Sequence, residues 1–249
     1  MDFLAIPQRT TGNREYGITS VIDLGVPIRQ LQAILEDYSK FIDFAKIGVG
    51  TAYITPRLQE KIELYKSYHI KPFFGGTFFE KCYHQNKLDQ YIQTLKKYRI
   101  DWIEISTGTL EIPLEDRLKL ISKLKEEFSC FAEVGSKDST KDLSITDWKQ
   151  EMKLLLEAGA TYCITEGRDS GTSGIYNKNG EVKSNLIHAL TKDFNVNQLI
   201  FEAPTAKHQM FFINHIGPNV NLGNIKLSDV LTLEAERCGL RSETFFMEE

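Results

Sequence analysis

The chain has 249 residues, of which 41% are hydrophobic, and this is enough to build one domain with a large core. The formal net charge of −4 comes from 34 acidic and 30 basic residues without a basic block, which argues against nucleic acid as the main partner. No apolar run approaches the roughly 20 residues that span a bilayer, and the first residues do not resemble a signal peptide, so we expect a cytoplasmic protein without a membrane partner.

Residues 1–19 show no periodicity and predict an arm across one end of the fold. The rest of the chain contains eight short segments in which apolar residues precede a key residue and small or apolar residues follow it. In chain order, the key residues are Asp23, Lys46, Gly75, Glu104, Glu133, Glu166, Glu202 and Asn221. Successive key residues are 19 to 36 positions apart, which leaves room for one helix in each gap. This spacing predicts an α/β fold with a single domain, a (β/α)8 TIM barrel over residues 1–249.

The shared pattern also predicts where the key side chains point. Because side chains alternate between the two faces of a strand, one common pattern places all eight on the same kind of face. Charged side chains are costly against the helix layer, so that face is the barrel interior near the carboxyl ends of the strands. TIM barrels carry their active sites at these ends, and we expect the site there.

Helical patterns occupy several of the gaps. A first helix is predicted over 28–41, where apolar residues recur on one face. Thr55 and Pro56 predict the start of a second helix, as N-cap and first helical residue. Later helices are predicted after Pro113, over 147–158, and from Ser228 onward.

An insertion follows the sixth predicted strand at residues 169–183. It opens with a loop rich in glycine and serine, and an Asn-Gly pair flanked by apolar residues predicts a small hairpin. At the carboxyl ends of a barrel such an insertion is a candidate lid, although decorative hairpins on barrels are common. The guanidinium of Arg168 and the backbone N–H groups around Ser170, Gly171 and Gly174 suit a phosphate.

The predicted interior face carries many charges. Its acids are Asp23, Glu104, Glu133, Glu166 and Glu202, and its cations are Lys46 and, just above it, Lys137 and Arg168. Five carboxylates and three cations give a formal charge of about −2, and confined carboxylates repel each other unless they are protonated, paired or bridged. Oxygen ligands without histidine or cysteine indicate Mg²⁺. Any single acid can instead neutralise a neighbouring cation, and Asp23 with Lys46 is the best candidate for a purely structural pair.

Lys137 lies four residues past Glu133 and is predicted to overhang the pocket. A lysine near carboxylates and a metal can donate a proton to a carbon atom. The alternative is an exposed loop lysine without a catalytic role.

Seven stretches of the chain carry a family resemblance. They are residues 21–23, 41–51, 104–109, 133–137, 166–171, 201–204 and 217–225, and the last three together are specific. On these motifs, which cover nearly the whole chain, the protein resembles the phosphosulfolactate synthase family.

The resemblance implies a Mg²⁺-dependent lyase that adds sulfite to phosphoenolpyruvate and forms (2R)-phospho-3-sulfolactate. This product leads toward coenzyme M in methanogens and toward sulfolactate in some bacteria. Sulfite would attack the methylene carbon, negative charge would flow into the carboxylate, and an acid would protonate the neighbouring carbon. Partners would be these small molecules and, as for many barrels, further copies of the chain in a homo-oligomer.

The resemblance and the charged ring together give each site residue an expected role. Lys137 is expected to be the acid, with Glu133 and Lys46 as further catalytic residues. The expected metal ligands are Glu104, Glu133 and Glu166. The expected substrate-binding residues are Arg168, Ser170, Gly171, Gly174 and Asn221, and Asp23 and Glu202 complete the ring.

Three positions depart from the family pattern. Leu24, Val49 and Thr107 stand where the family commonly has a polar residue, a tryptophan, and an asparagine or aspartate. They flank the charged positions, so we expect the chemistry to survive while the fit of the substrate is open. Two alternatives therefore stand beside the synthase: another Mg²⁺-assisted lyase acting on a phosphorylated enol or keto acid, and a catalytically silent barrel acting as a stress-related binding module.

Overall fold

The computed structural model describes residues 3–138 and 143–247, and these contain eight parallel strands. The strands are β1 (Thr19–Asp23), β2 (Phe44–Ile47), β3 (Lys71–Phe74), β4 (Trp102–Ile105), β5 (Ser129–Val134), β6 (Tyr162–Thr165), β7 (Leu199–Glu202) and β8 (Leu222–Lys226). Hydrogen-bonded neighbours follow the order β3-β2-β1-β8-β7-β6-β5-β4, and β3 lies beside β4, so that the sheet nearly closes on itself. The predicted (β/α)8 barrel is confirmed.

Helices connect each strand to the next. They are α1 (Ile28–Tyr38), α2 (Thr51–Ile54), α3 (Leu58–Ser67), α4 (Gly76–His84), α5 (Leu88–Lys97), α6 (Leu114–Leu124), α7 (Ile145–Ala158), α8 (Ser184–Asp193), α9 (Ala206–Ile216) and α10 (Val230–Arg237). Across the described ranges, no helix combines the length and the apolar character that crossing a membrane requires.

Two of the gaps hold two helices where the sequence pattern predicts one. After β3, α4 ends at a turn in which Asn86 adopts a positive φ of 53°, and α5 begins two residues later. The predicted start of the second helix at Thr55 is wrong, because the N–H of Thr55 donates to the carbonyl of Thr51 (3.0 Å) and so closes the short helix α2. The longer helix α3 begins only at Leu58.

Aromatic side chains fill the lower half of the barrel interior. Phe44, Phe73, Trp102, Phe131 and Tyr162 pack against one another, with ring centroids as close as 4.6 Å for Trp102 and Phe131. Because strand side chains alternate, residues two positions further along also face inward. For the first four of these aromatic residues they are the key residues Lys46, Gly75, Glu104 and Glu133. The aromatic layer therefore forms a solid floor beneath the charged layer.

The arm before β1 binds the opposite end of the barrel. Arg14 forms a buried ion pair with Asp43 (2.9 Å), just before β2, and Arg9 pairs with Glu234 of α10 (3.0 Å). Asp43 also accepts a hydrogen bond from the N–H of Thr19 at the start of β1 (2.8 Å). The described part of the arm, from residue 3 onward, thus stabilises the amino ends of the strands and leaves the carboxyl ends clear.

The predicted inward orientation of Asp23 is wrong. Ile22 belongs to the interior face of β1, whereas Asp23 faces the helix layer, where it binds Lys61 Nζ (2.7 Å) and Tyr65 Oη (3.0 Å) of α3. The predicted pair of Asp23 with Lys46 is therefore also wrong. The shared pattern was one residue out of phase on β1, and a shift of one residue exchanges the two faces of a strand.

The predicted position of Asn221 at the pocket is wrong as well. Its Oδ1 accepts from the N–H of Ile18 (3.0 Å), and its Nδ2 donates to the carbonyl of Leu199 (3.0 Å). Both partners lie at the amino ends of their strands, so Asn221 ties the bottom of the barrel together. The residue of β8 that reaches the carboxyl end is Asn224.

We predict that Asp23→Ala destabilises the fold by about 3–5 kcal/mol, because Lys61 would be left buried without its partner. Urea unfolding measures this loss. As a matched control, Glu60→Ala breaks the exposed ion pair with Arg57 and should cost less than about 1 kcal/mol. Equal, small losses in both variants would contradict a structural role for Asp23.

Candidate active site

A cavity of about 120 Å³ opens at the carboxyl ends of the strands. Its lining includes six of the eight key residues, namely Lys46, Gly75, Glu104, Glu133, Glu166 and Glu202, together with Lys137 and Arg168. A larger cavity of about 540 Å³ lies at the amino ends, where Arg14, Lys40 and Lys71 line it. Barrel enzymes carry out their chemistry at the carboxyl ends, so we assign the smaller cavity as the candidate active site.

Lys46 holds two of the acids at the floor of this cavity. Its Nζ lies 3.1 Å from Glu104 Oε2 and 3.0 Å from Glu202 Oε1. Burial alone would lower the pKa of Lys46, but these carboxylates and Glu133 raise it well above its ordinary value. Backbone N–H groups complete the arrangement, since Gly76 donates to Glu104 (2.7 Å) and Gly167 donates to Glu202 (2.9 Å).

Glu133 and Glu166 share one proton. Burial raises the pKa of Glu166 well above its ordinary value, and the negative charge of Glu133 raises it further. The pKa of Glu133 is lowered despite its burial, because Lys137 and Lys46 stabilise its charge and the hydroxyl of Ser106 lies within hydrogen-bond distance (2.6 Å). In the metal-free protein, the pair therefore consists of an ionised Glu133 and a protonated Glu166.

Lys137 overhangs this pair. Its Nζ lies 3.7 Å from Glu166 Oε2 and 3.8 Å from Glu80 Oε1. Although burial lowers the pKa of Lys137, the carboxylates of Glu133, Glu166 and Glu80 raise it far above its ordinary value, so the side chain is protonated at neutral pH. The backbone N–H of Lys137 donates to the carbonyl of Gly108 (3.0 Å), which fixes the loop after β5 against the loop after β4.

Three functional atoms meet in the space beside Gly108. A Cβ atom on this glycine would lie 2.8 Å from Glu166 Oε2, 2.8 Å from Lys137 Nζ and 2.9 Å from Glu133 Oε1. No side chain fits there, so a glycine at this position is what lets one ammonium group and two carboxyl groups converge. The predicted closeness of Lys137, Glu133 and Glu166 is therefore present.

Glu80 on α4 is a site residue that the strand pattern missed. Its Oε1 lies 2.8 Å from the hydroxyl of Ser106, which in turn lies 2.6 Å from Glu133 Oε1. Its Oε2 accepts hydrogen bonds from the N–H groups of Thr109 (2.7 Å) and Leu110. Because Glu80 belongs to a helix, no strand pattern includes it. The one signal in the sequence is a glutamate directly after the apolar pair Phe78 and Phe79.

The loop after β6 is used differently from its prediction. Arg168 lines the mouth of the cavity as an exposed side chain, and its backbone N–H donates to Glu166 Oε1 (2.6 Å). Ser170, Gly171 and Gly174 do not line this cavity. Gly171 instead packs against His208, and Gly174 packs against the backbone of Glu166, where a Cβ atom would collide.

The predicted hairpin is present in the insertion. Tyr176 and Val182 form an antiparallel bridge, and the N–H of Asn177 donates to the carbonyl of Glu181 (2.8 Å). Tyr176 stacks on His208 with 4.0 Å between ring centroids and donates from its hydroxyl to the carbonyl of Glu202. The hairpin is thus fastened to the barrel beside the active site.

The carboxylates fit a divalent cation only in part. Across residues 3–138 and 143–247, no three side chains of His, Cys, Asp or Glu are placed to hold a metal ion together. Glu104, a predicted ligand, is already bound by Lys46 and Gly76. Glu166 Oε2 is buried without a hydrogen-bond partner and lies near Glu133. Two carboxylates suffice for Mg²⁺, which usually keeps several waters and binds substrate oxygens.

Comparison with known proteins identifies the family. The family model described as "(2R)-phospho-3-sulfolactate synthase (ComA)" matches residues 7–243. The chain belongs to the phosphosulfolactate synthase family. It is 40% identical over 247 residues to phosphosulfolactate synthase of Bacillus subtilis (strain 168), with 98% of each chain covered. It is also 40% identical over 235 residues to phosphosulfolactate synthase of Methanocaldococcus jannaschii, with 92% of this chain and 94% of the relative covered.

Solved structures support the fold of this phosphosulfolactate synthase family member. The crystal structure of 3-keto-L-gulonate-6-phosphate decarboxylase from Vibrio cholerae superposes with a TM-score of 0.58 over 92% of this chain and 98% of the other. At 9% sequence identity this likeness concerns the barrel alone. The predicted family and the prediction of an enzyme are confirmed by the sequence relatives.

We predict that Glu166→Gln changes the pH dependence of stability in chelator-treated protein. Above the ordinary pKa of a glutamate, folded wild type keeps a proton on Glu166 that the unfolded chain releases, so wild-type stability falls as pH rises. Glutamine removes this linkage, and the free energy of unfolding of the variant should rise relative to wild type between pH 5 and pH 8. Urea titrations test this, with Glu157→Gln on the exposed face of α7 as control. Parallel pH curves for wild type and Glu166→Gln would contradict the shared proton.

Proposed function

We propose that the protein adds sulfite to phosphoenolpyruvate and forms (2R)-phospho-3-sulfolactate with the help of Mg²⁺. Membership of the phosphosulfolactate synthase family supports the product, and one observation in the structure supports the chemistry. This observation is the convergence of Lys137 Nζ, Glu133 Oε1 and Glu166 Oε2 beside Gly108, with all three side chains lining the cavity. An ammonium group held next to two carboxyl groups suits a reaction in which a carbanion-like carbon must receive a proton.

The electrostatics of the cavity explain why a metal is needed in this proposal. Six acids surround the cavity or contact its residues (Glu80, Glu104, Glu133, Glu166, Asp169 and Glu202), whereas the cations are Lys46, Lys137 and Arg168. Both substrates are anions, and a site with surplus carboxylate repels them unless further positive charge is present. Glu166 and Glu133 would hold the ion, which would supply positive charge to the carboxylate oxygens of the substrate.

In the carbon–sulfur step, the lone pair on the sulfur of sulfite forms a bond to the methylene carbon of phosphoenolpyruvate. The π electrons of the carbon–carbon double bond move toward the neighbouring carbon and its carboxylate. Lys137 donates its proton to that neighbouring carbon, and because Lys137 stands on one side of the cavity, protonation gives one stereoisomer. The Lys137 side chain is 26% exposed, so water at the mouth of the cavity would return a proton to the resulting amine.

In this proposal, Lys46 and the remaining acids shape the cavity and do not react with the substrate. Lys46 holds Glu104 and Glu202 at 3.0–3.1 Å, which keeps both carboxylates on the cavity wall. Arg168 at the mouth is placed to attract an anionic substrate before it reaches the floor. A cytoplasmic location and assembly into a homo-oligomer stay predictions from the sequence.

The three departures from the family pattern differ in their nearness to the cavity. Thr107 accepts from the N–H of Ile112 (2.9 Å) within its own loop, and Leu24 is an exposed side chain. Only Val49, of the three, lines the cavity. It has a positive φ of 45°, which is unusual for a β-branched residue. If the substrate is another phosphorylated enol acid, Val49 is therefore the one of the three departures that can change how the substrate fits the cavity.

The decisive experiment is ³¹P NMR of the purified protein with phosphoenolpyruvate, sulfite and Mg²⁺. We expect a new phosphate-ester signal that requires both substrates, disappears with chelator and returns with added Mg²⁺. A signal that persists in chelator contradicts the role of the metal. A folded protein that gives no new signal contradicts the substrates, and a panel of other phosphorylated enol and keto acids then identifies the lyase reaction.

A second prediction concerns the acid. Lys137→Ala should lower kcat by about 100- to 10,000-fold, because the carbon atom loses its proton donor, while circular dichroism shows an intact fold. Lys178→Ala, on the exposed tip of the hairpin, is the matched control and should keep wild-type turnover. Full activity of Lys137→Ala would show that the proton comes from another group.

A further inference from the structure

Strand β8 contains a bulge at the carboxyl end of the barrel. Along β1, Thr19 pairs with Leu222 but Val21 pairs with Ile225, so β8 has one residue more than its neighbour over this stretch. Asn224 lies in the extra stretch and adopts a positive φ of 54°. Bulges of this kind redirect a side chain, and they are frequent next to active sites.

The bulge turns Asn224 into the active-site cavity. The side chain is buried (5% exposed) and lines the cavity together with Lys46, Arg168 and Glu202. Among the residues that the structure describes, no group forms a hydrogen bond with its Oδ1 atom. A buried amide oxygen without a partner, on an irregular strand, destabilises the fold. Proteins retain such a cost at functional sites, where a ligand can bind the group.

We propose that Asn224 is a substrate-binding residue whose amide holds the phosphoryl group of the substrate. This inference rests on the proposed function, since it takes phosphoenolpyruvate as the substrate. The unpaired atom is Oδ1, and a rotation of the amide group by about 180° brings Nδ2 to the same position. There Nδ2 can donate to phosphate oxygens without adding negative charge to a cavity already rich in carboxylates. Its neutrality is the reason for asparagine rather than aspartate, although both residues tolerate positive φ.

Position favours the phosphoryl group over sulfite as the partner of Asn224. Barrel enzymes frequently bind phosphate with the loops after the last two strands, and Asn224 lies at the end of the last one. Arg168, at the same cavity, offers a guanidinium group that suits phosphate. Lys137 comes from the loop after β5, so the proton donor and Asn224 belong to strands that do not neighbour each other in the sheet.

The test uses Asn224→Gly, because glycine keeps the positive φ and removes only the amide. We expect KM for phosphoenolpyruvate and the inhibition constant of inorganic phosphate to rise about 10- to 100-fold, with KM for sulfite changed by less than about twofold. Asn224→Asp should weaken phosphate more strongly than glycine does, because it adds a charge of the wrong sign. Asn86→Gly is the matched control, since Asn86 has nearly the same φ (53°) and is exposed.

Each outcome decides the proposal. Wild-type KM for phosphoenolpyruvate and wild-type phosphate inhibition in folded Asn224→Gly overturn it, and so does a rise confined to KM for sulfite, which assigns Asn224 to the nucleophile. If wild type forms no product, the proposed function fails, but binding of inorganic phosphate by calorimetry still tests Asn224. Weaker binding in both Asn224 variants and unchanged binding in Asn86→Gly then support a phosphoryl site, and equal binding in all of them excludes it.

Discussion

Several carboxylates are buried around Lys46 and Lys137, and the fold has to satisfy each of them. Charges inside a barrel are stable only when each is paired or hydrogen-bonded. Lys46 meets this requirement for Glu104 and Glu202 at 3.0–3.1 Å, and backbone N–H groups of Gly76 and Gly167 complete it. The aromatic layer of Phe44, Trp102 and Phe131 is buried beneath them, and the cavity that the charged residues line lies at the carboxyl ends.

The same constraint prepares the reacting groups. Without a bound cation, burial and the charge of Glu133 keep Glu166 protonated beside the ammonium group of Lys137. The proton donor and the candidate metal ligands thus occupy one wall of the cavity, beside Gly108, while Arg168 and Asn224 offer donors to the anionic substrate elsewhere around it. In the proposed reaction, this division lets the substrate be held by its phosphate while protonation takes place at a carbon atom on the lysine side.

Helix α4 links the fold to the site more closely than the other helices that follow the strands. Its first residue, Gly76, donates its N–H to Glu104, and a Cβ atom there would collide with Ser106 and Glu104. One turn later, Glu80 binds Ser106 and the backbone of the loop after β4 (2.7–2.8 Å). Because the glycines after β3 have no side chains, α4 can lie close to the acids. The space freed by the missing side chains is therefore only partly available to the cavity.

The barrel, the family and the inward residues on the middle strands could be predicted from the amino-acid order, because period-two alternation and regular spacing are local properties of each segment. Lys46, Glu104, Glu133, Glu166 and Glu202 follow from this alternation. The other site positions depend on how the elements pack against one another. A shift of one residue turned Asp23 toward Lys61, a bulge in β8 brought Asn224 rather than Asn221 to the cavity, and Glu80 entered from a helix. The strand register, the bulge and the docking of a helix all depend on neighbouring elements. The residue pattern of one segment contains no information about those neighbours.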